Sequence, residues 1–206
     1  MTRLILVRHA QTYSNVDGLL DTGYPGAGLT ELGRAQADQL VVRLDGEPVD
    51  AIHVSNLVRT QLTAAPLAAA RGLAPQQHEG LREIEAGAYE MAGDRDSISI
   101  YRDVIDAWCQ GDLSPRFAGG ESGSGVLERV DVVVDRAVEQ ADSGVALFSH
   151  GAVLRVWAAN RAANLPTGFA YRHPLHNTDV IILDRDGTDW LVRTWSHINN
   201  IEAGVV

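Results

Sequence analysis

The amino-acid sequence predicts an α/β fold: three layers, α/β/α, with a mostly parallel central sheet, an antiparallel edge strand and a small cap insertion. Three observations predict it. Short apolar runs at residues 3–7, 50–54 and 144–149 have the length and branched content of buried strands. Helical stretches separate them, and strands alternating with helices pair in parallel through right-handed crossovers. Near the end, residues 179–183 and 190–195 flank Asp186-Gly187 and read as a hairpin, which puts antiparallel pairing at one edge.

In chain order, the strand at 3–7 runs into Arg8-His9. Residues 11–28 form a glycine-rich loop, and a loop that long in a compact chain is usually functional. Thr30 is an N-cap ahead of a helix whose apolar face is Leu32, Ala35, Leu40, Val41 and Leu44; Gly46 and Pro48 end it. After the strand at 50–54, a helix from Leu57 to Arg71 is expected to break or bend at Pro66, because proline lacks the N–H that the helix ladder needs. A polar strand at 75–78 leads into a charged loop at 80–87. Residues 91–120 read as an insertion over one end of the sheet, with one amphipathic helix marked by Ile98, Tyr101, Ile105 and Trp108. Helices at 125–141 and 153–164 flank the strand at 144–149, which ends at His150. With no internal repeat and no linker, residues 1–206 are expected to form one domain.

Bulk composition narrows the function classes. Of 206 residues, 45% are hydrophobic and 21% charged, which excludes a disordered chain. A net charge of -10 argues against nucleic acid and anionic membrane as partners, since both want a basic face. One cysteine, Cys109, allows no internal disulfide and fits a reducing compartment. No signal peptide and no membrane span are evident, so a cytoplasmic location is expected.

Parallel strands share their carboxyl ends, where open α/β sheets place ligands, so His9 and His150 are expected to converge there. Arg8 precedes one of them. Arg59 falls in the first turn of the helix after the second strand, where backbone N–H groups and the helix dipole favour an anion. Two Arg, two His and a helix N-terminus describe a pocket for a dianion such as phosphate, because the guanidinium fork makes paired bonds to phosphate oxygens. His173 and His176 lack the Cys or carboxylate company of a metal site, so no metal is expected.

With these residues together, the chain resembles the histidine phosphatase superfamily, which includes the phosphoglycerate mutases. Leu6-Val7-Arg8-His9-Ala10-Gln11-Thr12 with Asn15 is similar to the family's opening signature. Thr22-Gly23, Ser55-Asn56-Leu57-Val58-Arg59-Thr60, Leu81-Arg82-Glu83 with Gly87 and Glu90, Gly119-Gly120-Glu121-Ser122 and Ser149-His150-Gly151 follow in the family order. The resemblance implies hydrolysis of a small phosphorylated substrate through a phosphohistidine, with no cofactor. In it His9 is the nucleophile, Arg8, Arg59 and His150 hold the non-bridging oxygens, and Glu83 is the proton donor. Asn15, Thr22, Gly23 and Gly151 are implied to bind substrate.

The sequence departs from the family in two places. Ala10 stands where glycine is usual, which is harmless if its φ is negative. Gly87-Ala88-Tyr89-Glu90-Met91 differs at the start of the cap. Residues 91–120 contain no counterpart to the long basic, proline-rich insertion of cofactor-dependent mutases, which favours a phosphatase. A phosphomutase, a non-catalytic phospho-ligand binder and a protein phosphohistidine phosphatase are the rival readings. Arg95, Tyr101, Arg102, Trp108, Arg116 and His173 are candidates for substrate choice. A homodimer is compatible with the sequence, and nothing in it fixes the oligomeric state.

Overall fold

The computed structural model describes residues 2–199 and 201. Its sheet has seven strands in the order β3-β2-β4-β1-β5-β6-β7. They are β1 (Arg3–Arg8), β2 (Ala51–Ser55), β3 (Gln76–His78), β4 (Gly144–Ser149), β5 (Val180–Asp186), β6 (Asp189–Trp195) and β7 (Ile198–Asn199). The first four in this order are mutually parallel, and β5, β6 and β7 continue the sheet antiparallel. The expected edge hairpin is therefore part of a three-stranded antiparallel wing.

The helices are α1 (Tyr13–Asp17), α2 (Glu31–Arg43), α3 (Val58–Arg71), α4 (Arg95–Cys109), α5 (Gly123–Glu139), α6 (Gly151–Arg161) and α7 (Phe169–Arg172). The side chains of β1 alternate between the two faces, as a pleated strand requires. Leu4 and Leu6 join the core built with α4, α5 and α6, whereas Ile5 and Val7 join the core built with α2 and α3. A strand buried on both faces must be apolar throughout, so the run at 4–7 shows no polar alternation.

Three sequence expectations are corrected. α3 runs without interruption through Pro66. Proline removes one ladder bond, to the carbonyl of Leu62. Leu62 is 40% exposed, so that carbonyl lies on the side of the helix open to water. The opposite side, with Ala64, Leu67 and Ala68, stays packed on the sheet. In α2 the buried stripe is Gly33, Ala37 and Leu40 with Leu44 beyond the helix end, while Leu32 and Ala35 face outward. A Cβ on Gly33 would lie 2.1 Å from the Gln11 carbonyl oxygen, so the helix presents small residues where the loop crosses it. Finally, the loop at 11–28 contains α1, closed by a capping box between Thr12 and Asn15. The expected amphipathic helix of the insertion is α4, with Ile105 and Trp108 buried.

A histidine pair joins β2 to β3, with His53 buried and His78 half-buried at the end of β3. His53 Nδ1 is 2.8 Å from His78 Nε2. Burial, then the neighbouring His78, lowers the pKa of His53 to about 4, and burial with Arg136 lowers that of His78. The folded chain thus refuses protons that the unfolded chain accepts below about 6.5. Thermal stability is expected to fall as the pH drops from about 6.5 towards 4, with buried His9 and His150 acting in the same direction. Unfolding midpoints across that range should fall less steeply in His53→Gln. Equal slopes would remove His53 from the account.

Candidate active site

Residue pairing between β1 and β4 sets the site. Arg8 lies opposite Ser149, so the next residues, His9 and His150, leave the sheet side by side. Their ring centroids are 5.2 Å apart. His9 Nδ1 is 2.8 Å from its neighbour's carbonyl oxygen, that of Ala10, which makes Nδ1 the protonated nitrogen and leaves Nε2 with a free lone pair. Burial first, then the Arg59 and Arg8 charges, holds the pKa of His9 well below the ordinary histidine range. The backbone at Ala10 is not in the left-handed region, so the missing glycine causes no strain.

A cleft of about 150 Å³ opens over this ring, lined by Arg8, His9, Asp21, Arg59, Glu83 and Tyr101 among others. Both guanidiniums are anchored on one side only. Arg8 Nη1 donates to the Leu175 carbonyl, and its Nε is buried without a partner. Arg59 Nε donates to His150 Nδ1 at 3.2 Å and Nη2 to the Asp21 carbonyl at 2.9 Å. Its Nη1 is also buried without a hydrogen bond, with Asp21 Oδ2 3.7 Å away. Burial lowers the pKa of both groups, yet arginine stays cationic. Arg8 Nε packs against Gly151 and Arg59 Nη1 against Gly26, so what the pair brings to the cleft is two guanidinium charges beside the His9 ring, an arrangement suited to an oxyanion.

Glu83 is fixed by backbone. Its carboxylate accepts from the N–H groups of Ile84 (2.9 Å), Ala152 (3.1 Å) and Val153 (3.0 Å), the last two in the first turn of α6. Ser149 Oγ donates to the Leu81 carbonyl and ties the same loop to the end of β4. Tyr101, from α4, reaches the cleft and donates to the Ile84 carbonyl at 2.9 Å. Burial raises its pKa well above the usual phenol range.

A family model of the histidine phosphatase superfamily (branch 1) matches residues 4–198. The chain belongs to the histidine phosphatase superfamily. The adenosylcobalamin/alpha-ribazole phosphatase of Escherichia coli is 32% identical over 158 residues, covering 76% of this chain and 77% of that protein. A PE-PGRS family protein of Mycobacterium tuberculosis, PE_PGRS11, is 32% identical over 212 residues; the match covers 93% of this chain and only 36% of that protein. A probable phosphoglycerate mutase of Erwinia tasmaniensis is 29% identical over 197 residues, 95% of this chain and 90% of that protein. Among solved structures, mycobacterial glucosyl-3-phosphoglycerate phosphatase in complex with VO3 superposes with a TM-score of 0.81 at 26% identity, covering 94% of this chain and 98% of that one.

Within this superfamily member, the residues expected from sequence fall into two groups. Arg8, His9, Arg59 and Glu83 share the cleft, with Asn15 and Thr22 on its wall. His150 is outside its lining, packs against the His9 ring and bonds Arg59. Its Nδ1 accepts from Arg59, and its Nε2 is 2.9 Å from Ser55 Oγ, so neither nitrogen is free for a phosphate oxygen. The amides of Thr22 and Gly23 both donate to Glu90 Oε1, at 2.9 and 3.0 Å, and the Thr22 hydroxyl donates to the other Glu90 oxygen. Gly23 is therefore tied down outside the cleft. Gly151 also lies outside its lining. A Cβ there would lie 3.1 Å from Arg8 Nε, so this glycine makes room for the guanidinium.

Two of the first N–H groups of α3, expected to meet the anion, are spent within the protein: Val58 donates to the Pro25 carbonyl and Thr60 to that of Leu57. Three further residues serve the site, of which Asp21 and Asn177 went unnoticed in the residue pattern. Asp21 faces Arg59; Thr63 Oγ1 accepts from the Ala10 amide at 3.0 Å; Asn177 Nδ2 donates to the His9 carbonyl at 3.1 Å. Among the substrate-choice candidates, Trp108 is core, with its indole N–H on the Pro115 carbonyl.

Proposed function

We propose that this protein hydrolyses phosphomonoesters of small metabolites through a phosphohistidine at His9. The observation that carries the reading is the unprotonated His9 Nε2 in a cleft walled by the Arg8 and Arg59 guanidiniums and by Glu83. The phosphatase relatives support it. In the first step His9 Nε2 attacks phosphorus in line, the P–O ester bond breaks with its electron pair on oxygen, and Glu83 supplies the proton. Arg8 and Arg59 hold the non-bridging oxygens and stabilise the transferring group. In the second step Glu83, now a carboxylate, takes a proton from water as it attacks; the P–N bond breaks and its electrons return to His9. His150 acts by holding Arg59 in register.

The two guanidiniums supply the positive charge this transfer needs, so we assign no metal to it. Phosphate release from a panel of monoesters is expected, unchanged after treatment with EDTA. Loss of activity on chelation, restored by a divalent ion, would overturn metal independence. The mutase relatives favour one rival: fast interconversion of 3-phosphoglycerate and 2-phosphoglycerate primed with 2,3-bisphosphoglycerate, with little free phosphate, would replace hydrolysis by isomerisation.

A further inference from the structure

A second hollow adjoins the phosphate cleft. Its volume is about 220 Å³, it shares Leu20 and Tyr101 with the cleft, and Ile98, Ile105 and Ala152 complete its apolar walls. The Ala152 N–H is one of the donors on Glu83, so the hollow begins beside the carboxylate that protonates the leaving oxygen. An alcohol departing past Glu83 is directed into it.

Arg102 and Arg155 stand at its far side. Both also border a wider shelf of about 560 Å³, together with Tyr171 and Arg172. Arg155 is half-satisfied: Nη2 donates to Asp106 Oδ1 at 3.1 Å and Nε to the Ala170 carbonyl. Arg102 and Arg172 are exposed, and among the described residues neither has a carboxylate within 4.0 Å. Three guanidiniums around one carboxylate reverse, locally, the sign of a chain with net charge -10. Moving outward from the reacting phosphorus, the surface is cationic, then apolar, then cationic again.

We propose that this groove is the leaving-group subsite and that it selects phosphomonoesters carrying a second oxyanion beyond an apolar segment. The inference rests on the hydrolase reading above. The apolar walls bury the middle of such a substrate, and Arg102 with Arg172 meets the distal oxyanion, which their forks suit.

Three probes of equal phenol acidity test it: 3-(4-phosphonooxyphenyl)propanoate, its primary amide, and phenyl phosphate. The acid should show a KM about tenfold below that of the amide with similar kcat, the size of one charge-assisted contact. In Arg102→Gln/Arg172→Gln the acid-to-amide ratio should collapse to within about twofold of unity, a measure that cancels any general change in the enzyme. Equal KM values in the unaltered protein, or a preference that survives in the double variant, would overturn the subsite. Failure to release phosphate from any of the three, phenyl phosphate included, would instead overturn the hydrolase reading and the subsite with it.

Discussion

Replacing His9 with alanine is expected to reduce phosphate release by about 10⁴-fold or more, since removing a nucleophile in triad hydrolases costs up to about 10⁶. No second imidazole can take over, because His150 lies outside the cleft lining with both nitrogens engaged. Unaltered protein quenched in alkali should carry an acid-labile phosphoryl label, and the variant none. A folding check belongs with it, because His9 is buried; an unfolding midpoint close to that of the unaltered chain keeps the comparison clean. Retention of a tenth or more of the activity would sink the mechanism. The lowered pKa adds a pH signature. An ordinary histidine would lose its nucleophilic lone pair below about 6.5. His9 keeps its lone pair below that pH, so the acid limb due to nucleophile protonation should lie clearly under 6.5 in kcat/KM.

Arg59→Met is expected to lower kcat/KM by about 10²–10³, equivalent to about 2.7–4 kcal/mol, the range for losing one preorganised donor to a developing oxyanion. The loss has two parts. One is the guanidinium charge beside the transferring phosphoryl group. The other is structural: without the guanidinium, His150 Nδ1 and the Asp21 carbonyl lose their donor. Unmet buried groups of this kind cost about 1–3 kcal/mol each in stability. Unfolding midpoints therefore separate a folding defect from a catalytic one. Arg59→Lys should restore little, because a single ammonium cannot reach His150 and Asp21 and still present a donor to phosphate. Near-normal kcat/KM in either variant would remove Arg59 from the oxyanion account.

How much was legible in the sequence follows from which interactions are local. The run at 4–7 and its counterpart at 145–148 declare themselves by being apolar on both faces, and their pairing places His9 beside His150. Arg8, Arg59 and Glu83 stand next to strand ends or in their own loop, where topology alone brings them together. Proline at 66 misled because helix rules count the lost bond and not the packed face that outweighs it. The apolar stripe of α2 misled because Gly33 and Ala37 are buried for being small. Asp21 and Asn177 escaped notice because each acts across the fold, on Arg59 and on His9 respectively. A polar residue in a loop carries no mark of its distant partner.

Asp21 has a consequence for how this acidic chain tolerates an anion site at all. Two guanidiniums share the cleft walls with Asp21 and with Glu83, the proton donor, so with Glu83 carrying its proton the walls hold one surplus positive charge. One surplus charge, set among buried side chains, is all that these walls offer an anion. Its field fades over the roughly 8–10 Å within which salt screens charge. From a distance the net charge of -10 dominates, and close to the surface the guanidiniums of the cleft and of the shelf that holds Arg102 and Arg172 offset it locally.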